Sequence, residues 1–108
     1  MSKVIFKHTP TAVPATTELT LPYYAKHKRI DKWVAITTNL TLLQCSKYSY
    51  DGSIYVSSSP VSVDTVHTSG AMAEIFTDEY EPCTYEAFKS AWYGMLGEMS
   101  TNHTINAA

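Results

Sequence analysis

Alternating hydrophobic and polar positions in the first half of the chain predict a series of β-strands. Successive side chains of a strand point to opposite faces, and short runs rich in β-branched and aromatic residues are typical of strands. Three such runs lie at residues 18–25, 33–38 and 41–50, and a fourth follows Gly52 and is closed by residues 57–60. Pro22 cannot donate a hydrogen bond to a neighbouring strand, so the first run is predicted to be an edge strand or to carry a bulge.

Asp51-Gly52 gives the clearest turn signal of the chain. Both residue types tolerate the positive φ angles of a type I′ hairpin turn. A two-residue turn would pair Tyr50 with Ser53 and Tyr48 with Tyr55. Alternation then predicts one face that belongs to the core and a second face that carries tyrosines. The first face has Leu43, Cys45, Ile54 and Val56, and the second has Tyr48, Tyr50 and Tyr55.

The three tyrosines Tyr48, Tyr50 and Tyr55 are the best candidates for binding a protein partner. Tyrosine gives a large contact area at a low cost in side-chain entropy and is enriched among the energetically important residues of interfaces. The alternative is a second small core, covered by the N-terminal residues or by a loop. In either case we expect this face not to be bare.

The second half of the chain predicts a C-terminal helix over residues 84–99. Thr84 suits the N-cap, and an acid in the first turn, Glu86, is favoured by the helix dipole. An apolar stripe of helical period follows, formed by Tyr85, Phe88, Trp92, Met95 and Met99. Before the helix, the sequence predicts a connector with a short strand at 61–66, a last strand at 71–77 whose Ala and Met content also fits a helical turn, and an acidic loop at 78–82.

These elements predict an α+β fold in which an antiparallel sheet of four to five strands packs against one C-terminal helix. Residues 1–17 are predicted to be an N-terminal extended arm, because residues 8–17 contain two prolines and four threonines. Residues 18–99 would form a single α+β domain, and residues 100–108 a polar C-terminal tail. The 108 residues suffice for one domain with one core.

Composition narrows the class of protein. With 44% hydrophobic and 17% charged residues, the chain is not of disordered composition. The sequence contains no apolar run long enough to cross a membrane and no recognisable secretion signal, so we expect no membrane partner. Cys45 and Cys83 are expected to be reduced and half-buried.

Charge is distributed unevenly along the chain. Residues 1–54 hold seven Lys or Arg and three acids, whereas residues 55–108 hold one Lys and seven acids. Either the two halves pack together and neutralise each other, or the surface is dipolar and favours head-to-tail association. The first interpretation is the simpler one.

A basic and aromatic segment at residues 23–33 suggests a nucleic-acid site. Aromatic faces stack on bases and Lys or Arg contact phosphates, so single-strand binding is physically reasonable. The residues concerned are Tyr23, Tyr24, Lys26, Lys28, Arg29, Lys32 and Trp33. The alternative is a solvated loop between two strands whose aromatics belong to the core, and the net charge of −2 opposes dedicated nucleic-acid binding.

Candidate catalytic and metal-binding groups are sparse. Cys83 stands before a helix N-terminus, where the dipole lowers a thiol pKa, and His67 would have to serve as its base. Pro82-Cys83-Thr84 is better explained as helix capping. The four His lack metal-binding spacings, and the four Gly form no phosphate loop. We therefore expect no enzymatic activity, no metal and no cofactor.

Two short motifs carry a resemblance to a group of proteins. They are Ile75-Phe76-Thr77-Asp78 and Pro82-Cys83-Thr84-Tyr85-Glu86-Ala87-Phe88. From Leu21 onward the chain resembles small uncharacterised proteins of gut Bacteroidetes and their phages, in which a strand meander precedes a C-terminal helix. The resemblance implies no activity. It favours a phage or mobile-element accessory protein, or a minor virion component, located in the host-cell cytoplasm or in the virion.

The sequence leads to two functional hypotheses. The first is a non-enzymatic protein-interaction or assembly module that uses the tyrosine face and forms a homo-oligomer or binds another protein. The second is a single-stranded nucleic-acid-binding protein that uses residues 23–33.

Overall fold

The computed structural model describes residues 2–9, 16–64, 66–67 and 71–107, which form eight strands and two helices. In chain order these are β1 (Ser2–Thr9), β2 (Thr16–Leu21), β3 (Tyr23–His27), β4 (Asp31–Ile36), β5 (Thr41–Lys47), β6 (Ile54–Pro60), β7 (Val66–His67), α1 (Ala71–Ile75), β8 (Tyr80–Pro82) and α2 (Tyr85–Ala107).

The strands form two sheets. The larger sheet has five strands in the order β6-β5-β4-β3-β8, and every neighbouring pair in it is antiparallel. The smaller sheet has the order β2-β1-β7, with β1 antiparallel to β2 and parallel to β7. The predicted α+β class, with an antiparallel sheet packed against a C-terminal helix, is confirmed.

The central strand β4 is buried on both sides. Val34, Ala35 and Ile36 are each fully buried, although consecutive side chains of a strand point to opposite faces. Helix α2 covers one face of the large sheet, here called the helix face, which carries Ala35 and Cys45. The other, here called the opposite face, carries Val34 and Ile36 and packs against the small sheet and α1.

A cluster of aromatic side chains packs between α2 and the helix face of the large sheet. The ring of Tyr24 on β3 lies 5.4 Å from that of Tyr85 and 5.6 Å from that of Phe88, and Phe88 stacks on Trp92 at 5.7 Å. Of the predicted stripe, Phe88 and Met95 are buried, Trp92 is partly buried and Tyr85 is half exposed; the side chain of Met99 lies outside the described part.

The start of α2 confirms the predicted cap, but its end differs from the prediction. The Thr84 hydroxyl accepts a hydrogen bond from the Ala87 N–H at 3.1 Å, as an N-cap residue does. The helix continues to Ala107, so the prediction of a tail from residue 100 is wrong for the backbone of residues 100–107. These residues contain neither Gly nor Pro, and nothing in them interrupts a helix.

The predicted N-terminal arm is also wrong where the structure describes it. Residues 2–9 form β1, and the side chain of Phe6 is fully buried in the main core with Leu21 and Val66. Residues 16–17 belong to β2, and residues 10–15 lie outside the described part. The Pro and Thr content at 8–17 therefore marks the link between two strands.

Three further elements differ from the sequence predictions. Pro22 divides the predicted strand 18–25 into β2 and β3, which belong to different sheets, and the Leu21–Pro22 peptide is cis. Residues 71–75 form the short helix α1 instead of a strand, and Ile75 at its end is buried in the core. Within the predicted loop 78–82, residues 80–82 form β8 beside β3.

The β5–β6 turn is longer than predicted. Lys47 pairs with Ile54, and the Tyr48 N–H donates to the Ser53 carbonyl at 2.9 Å, so the two-residue register is wrong by two residues. Within this turn, Gly52 adopts a positive φ of 72°, and the Asp51 carboxylate accepts the Ser53 N–H at 2.9 Å. A shift of two residues leaves every side chain on its predicted face.

We expect Phe6→Ala to lower the free energy of unfolding by about 3–5 kcal/mol, because it removes a fully buried aromatic ring. Ile5→Ala is the matched control, since Ile5 is the adjacent residue of β1 and is 51% exposed. Urea denaturation of both variants provides the measurement. Equal stability of the two variants would mean that β1 does not contribute to the core.

Candidate functional site

Three exposed tyrosines lie at one end of the opposite face of the large sheet. Tyr55 on β6 faces Ser46 across the ladder, Tyr48 follows β5 on the same face, and Tyr50 lies in the connecting loop. Their exposed fractions are 49%, 47% and 87%. We call these residues, Tyr48, Tyr50 and Tyr55, the tyrosine surface.

The residues next to the tyrosine surface on the same sheet face are polar. Gln44 and Ser46 are buried on this face, and the Ser57 hydroxyl is buried without a hydrogen-bond partner among the described residues. A second apolar core would require buried hydrophobic side chains at these positions. The exposure of the rings and the polar residues next to them together leave the tyrosine surface uncovered by the part of the chain that the structure describes.

A cleft of about 200 Å³ adjoins the tyrosine surface. It lies between the β3–β4 turn, which contributes Ile30 and Asp31, and the β5–β6 loop, which contributes Tyr48 and Tyr50. Ile30 is 48% exposed. The cleft therefore combines an aliphatic side chain with the aromatic rings of two tyrosines, which is the kind of lining that binds an apolar side chain.

The charged groups of this cleft already have partners within the chain. The Asp31 carboxylate accepts the Trp33 indole N–H at 3.0 Å, and the Lys47 ammonium donates to Glu98 at 2.7 Å. Arg29 pairs with Glu79. What the cleft presents is chiefly apolar and aromatic surface with tyrosine hydroxyls.

In the described residues, every ion pair formed by a Lys or an Arg joins the basic first half of the chain to the acidic second half. They are Lys7–Asp64, Arg29–Glu79, Lys32–Glu74 and Lys47–Glu98. Most of these groups are solvent-exposed, so each pair contributes little to stability. Their arrangement supports the first interpretation of the uneven charge, in which the halves neutralise each other.

His27 positions the β3–β4 turn beside the cleft, a role that the sequence did not reveal. Its ring is buried, and Nδ1 accepts the N–H groups of Arg29 at 3.1 Å and Ile30 at 3.3 Å. Nε2 therefore carries the hydrogen and points toward the Glu79 carboxylate, 3.6 Å away. The sequence signal for this role was a histidine two and three residues before Arg29 and Ile30, whose N–H groups it accepts.

The aromatic residues of the proposed nucleic-acid segment are partly buried. The ring of Tyr24 contacts α2, and Tyr23 is partly buried, which raises its pKa. Trp33 is partly buried, and the Lys26 ammonium lies 5.5 Å from the centre of its ring. These contacts occupy part of the ring surface that stacking on bases would need.

The basic residues of the same segment are divided between paired and exposed positions. Lys26 donates to the His27 carbonyl at 3.0 Å, Lys32 faces Glu74 at 3.8 Å, and Arg29 pairs with Glu79. Lys28 is exposed. The β3–β4 ladder places Tyr24, Lys26 and Trp33 on the helix face but Tyr23 and Lys32 on the opposite face, so the predicted residues do not form one continuous binding surface.

Neither thiol has the environment of a nucleophile. Burial raises the pKa of the Cys83 thiol, and the nearby Glu81 carboxylate raises it further, while Lys26 lowers it. Burial raises the pKa of Cys45 to about 12. The side chain of His67, its suggested base, lies outside the described part.

Two other classes of site are absent from the described residues. No three His, Cys, Asp or Glu side chains in these ranges are grouped so that they could hold a metal ion. No helix within them is both long and apolar enough to cross a membrane.

Comparisons with known proteins add no assignment. No protein-family model, no curated protein and no solved structure gives a significant match to the chain.

We expect Cys83 to react more slowly with iodoacetamide at neutral pH than a thiol of ordinary pKa, because a raised pKa reduces the thiolate fraction. Its rate should rise as the pH increases. Glu81→Gln should accelerate the reaction, because it removes the carboxylate that raises the pKa of the thiol. Mass spectrometry gives the rates, with buried Cys45 as the unreactive reference. Faster alkylation than the ordinary thiol would restore the nucleophile hypothesis.

We also expect no retention of the protein on a single-stranded oligonucleotide column at about 50 mM salt, where phosphate contacts are strong. The reason is that the aromatic rings are partly buried and most cations of residues 23–33 have partners. Retention that weakens with salt and with Lys28→Ala would favour the nucleic-acid hypothesis instead.

Proposed function

We propose that this protein is a non-enzymatic interaction or assembly module whose docking surface is the tyrosine surface with its adjoining cleft. The observation that carries the proposal is the exposure of Tyr48, Tyr50 and Tyr55, together with a cleft that Tyr48, Tyr50 and Ile30 line. Large exposed rings beside a cleft are typical of protein-binding sites.

The partner that this surface fits is a protein segment with an apolar or aromatic side chain. Such a side chain would enter the cleft, and the tyrosine hydroxyls would satisfy polar groups at its rim. Because Arg29 and Lys47 already bind carboxylates of this chain, a charged partner gains little from them.

The biological setting is proposed from the sequence. The resemblance of the chain from Leu21 onward to small uncharacterised proteins of gut Bacteroidetes and their phages favours a phage or mobile-element accessory or minor structural protein. A non-enzymatic role agrees with the raised pKa of the Cys83 thiol.

The experiment is a selection of peptides from a random display library on the immobilised protein. We expect the selected peptides to lose at least about tenfold in affinity, or 1.4 kcal/mol, when Tyr48, Tyr50 and Tyr55 are all changed to alanine. Tyr50→Ala alone should weaken binding, whereas Tyr93→Ala on α2, which is 62% exposed, is the matched control and should not.

Thermal unfolding of each variant separates binding from folding, and exposed tyrosines predict small changes in melting temperature. Peptides that bind the triple variant as tightly as the original chain would contradict the proposal. A library that yields no binder above background would contradict it as well.

A further inference from the structure

The strands at the edges of the two sheets differ in how well they are protected from pairing with another chain. The β8 edge is three residues long and contains Glu81 and Pro82, and the β2 edge carries Glu18. The β7 edge has two residues. In contrast, β6 has seven residues, no charged side chain, and a proline only at its last position. Short strands, charges and prolines are the usual protection of an edge, and β6 has the least of it.

The hydrogen bonds around β6 show which backbone groups face outward. The N–H of Val61 donates to the Leu40 carbonyl at 3.0 Å, and that of Tyr48 donates to the Ser53 carbonyl at 2.9 Å. Both pairs continue the register of the β5–β6 ladder. Hydrogen-bonded pairs alternate in an antiparallel ladder. The residues that bond to β5 are therefore Tyr55, Ser57 and Ser59, and those that face outward are Ile54, Val56 and Ser58.

No described strand pairs with β6 on its outer side. The outward N–H and C=O groups of Ile54, Val56 and Ser58 therefore form a regular row that matches an added antiparallel strand. We propose that β6 pairs with β6 of a second copy of this chain, which joins the two large sheets into one continuous sheet. The proposal rests on the proposed function in treating the chain as an assembly module.

A second copy fits this edge because the strand is complementary to itself. With Val56 on the two-fold axis, Ile54 faces Ser58 of the second copy and Tyr55 faces Ser57 of the second copy. Every cross-strand pair is uncharged, so no like charges meet, and about six backbone hydrogen bonds form. The same pairing at β2 would bring two copies of Glu18 close together.

The geometry of this dimer connects it to the tyrosine surface. An antiparallel pair at a two-fold axis perpendicular to the sheet keeps equivalent faces on the same side. Both α2 helices then cover one face, and both tyrosine surfaces lie on the other. The assembly would therefore offer two docking surfaces side by side.

The first measurement is the molar mass from light scattering over a range of concentrations, combined with amide hydrogen exchange by NMR. We expect a dimer, and amides of Ile54, Val56 and Ser58 that become protected as concentration rises. The amides of Tyr55, Ser57 and Ser59 should be protected at every concentration, since they bond within the chain. A dissociation constant weaker than about 1 mM would overturn the proposal, as would a dimer in which the outward amides exchange rapidly.

Ser58→Pro tests the edge directly, because it removes one outward N–H from an exposed residue. We expect at least about tenfold weaker dimerisation, with Ser58→Thr as the control that keeps the N–H and dimerises normally. A folded Ser58→Pro variant that dimerises like the original chain would overturn the proposal. If that variant does not fold, the exchange pattern of the unmodified chain still decides the question.

The two proposals fail in different experiments. The triple alanine variant of the tyrosine surface should still dimerise, since the β6 ladder uses backbone groups. If the triple variant loses peptide binding and the original chain is monomeric, the proposed function stands and the proposed dimer is wrong. If the original chain dimerises but binds no peptide, the dimer stands and the proposed function is wrong.

Discussion

The burial of β4 on both of its faces is the constraint on which the structure depends. Val34 and Ile36 point to one side and Ala35 to the other, and none of them is exposed. A sheet whose central strand is apolar on both sides must be covered twice, because apolar area left in water costs free energy in proportion to its extent. Helix α2 provides one cover, and the small sheet with α1 provides the other.

The extent of these two covers determines which surfaces stay open. The main core on the opposite face gathers around Phe6, Leu21 and Ile36, and it does not extend to the end of β6. There the sheet face becomes polar at Ser46 and Ser57, and the tyrosines remain exposed. The ring surface is open because the cover on the opposite face ends before β6, whereas α2 still contacts β6 on the helix face. The edge of β6 is open because β6 is the last strand of the large sheet.

Sequence patterns predicted those structural features that depend on residues close together in the chain. Alternation assigned Cys45 and Tyr55 to different faces, and the Thr84 cap marked the start of α2. The role of β1 depends on its pairing with β2, which follows it after a link of several residues. Hydrophobic periodicity does not reveal such a pairing, so Phe6 was assigned to an extended arm. The turn register depended on the Asp51 carboxylate, which competes for the Ser53 N–H with the backbone of a two-residue turn. The tyrosines were predictable as a face, but the cleft beside them was not, since Ile30 is held there by a buried histidine.

The uneven distribution of charge along the sequence suggests a dipolar surface, but the structure shows that charges of the two halves pair with each other. The described Lys and Arg pairs place four of the seven cations of residues 1–54 beside acids of residues 55–108. The tyrosine surface and β6 have no charged side chains of their own, and the charged groups of the adjoining cleft, Arg29, Asp31 and Lys47, have partners within the chain. Association at either would therefore draw on buried ring area and on backbone hydrogen bonds. Both contributions depend far less on ionic strength than exposed ion pairs do, so specificity at these surfaces has to come from shape and strand register.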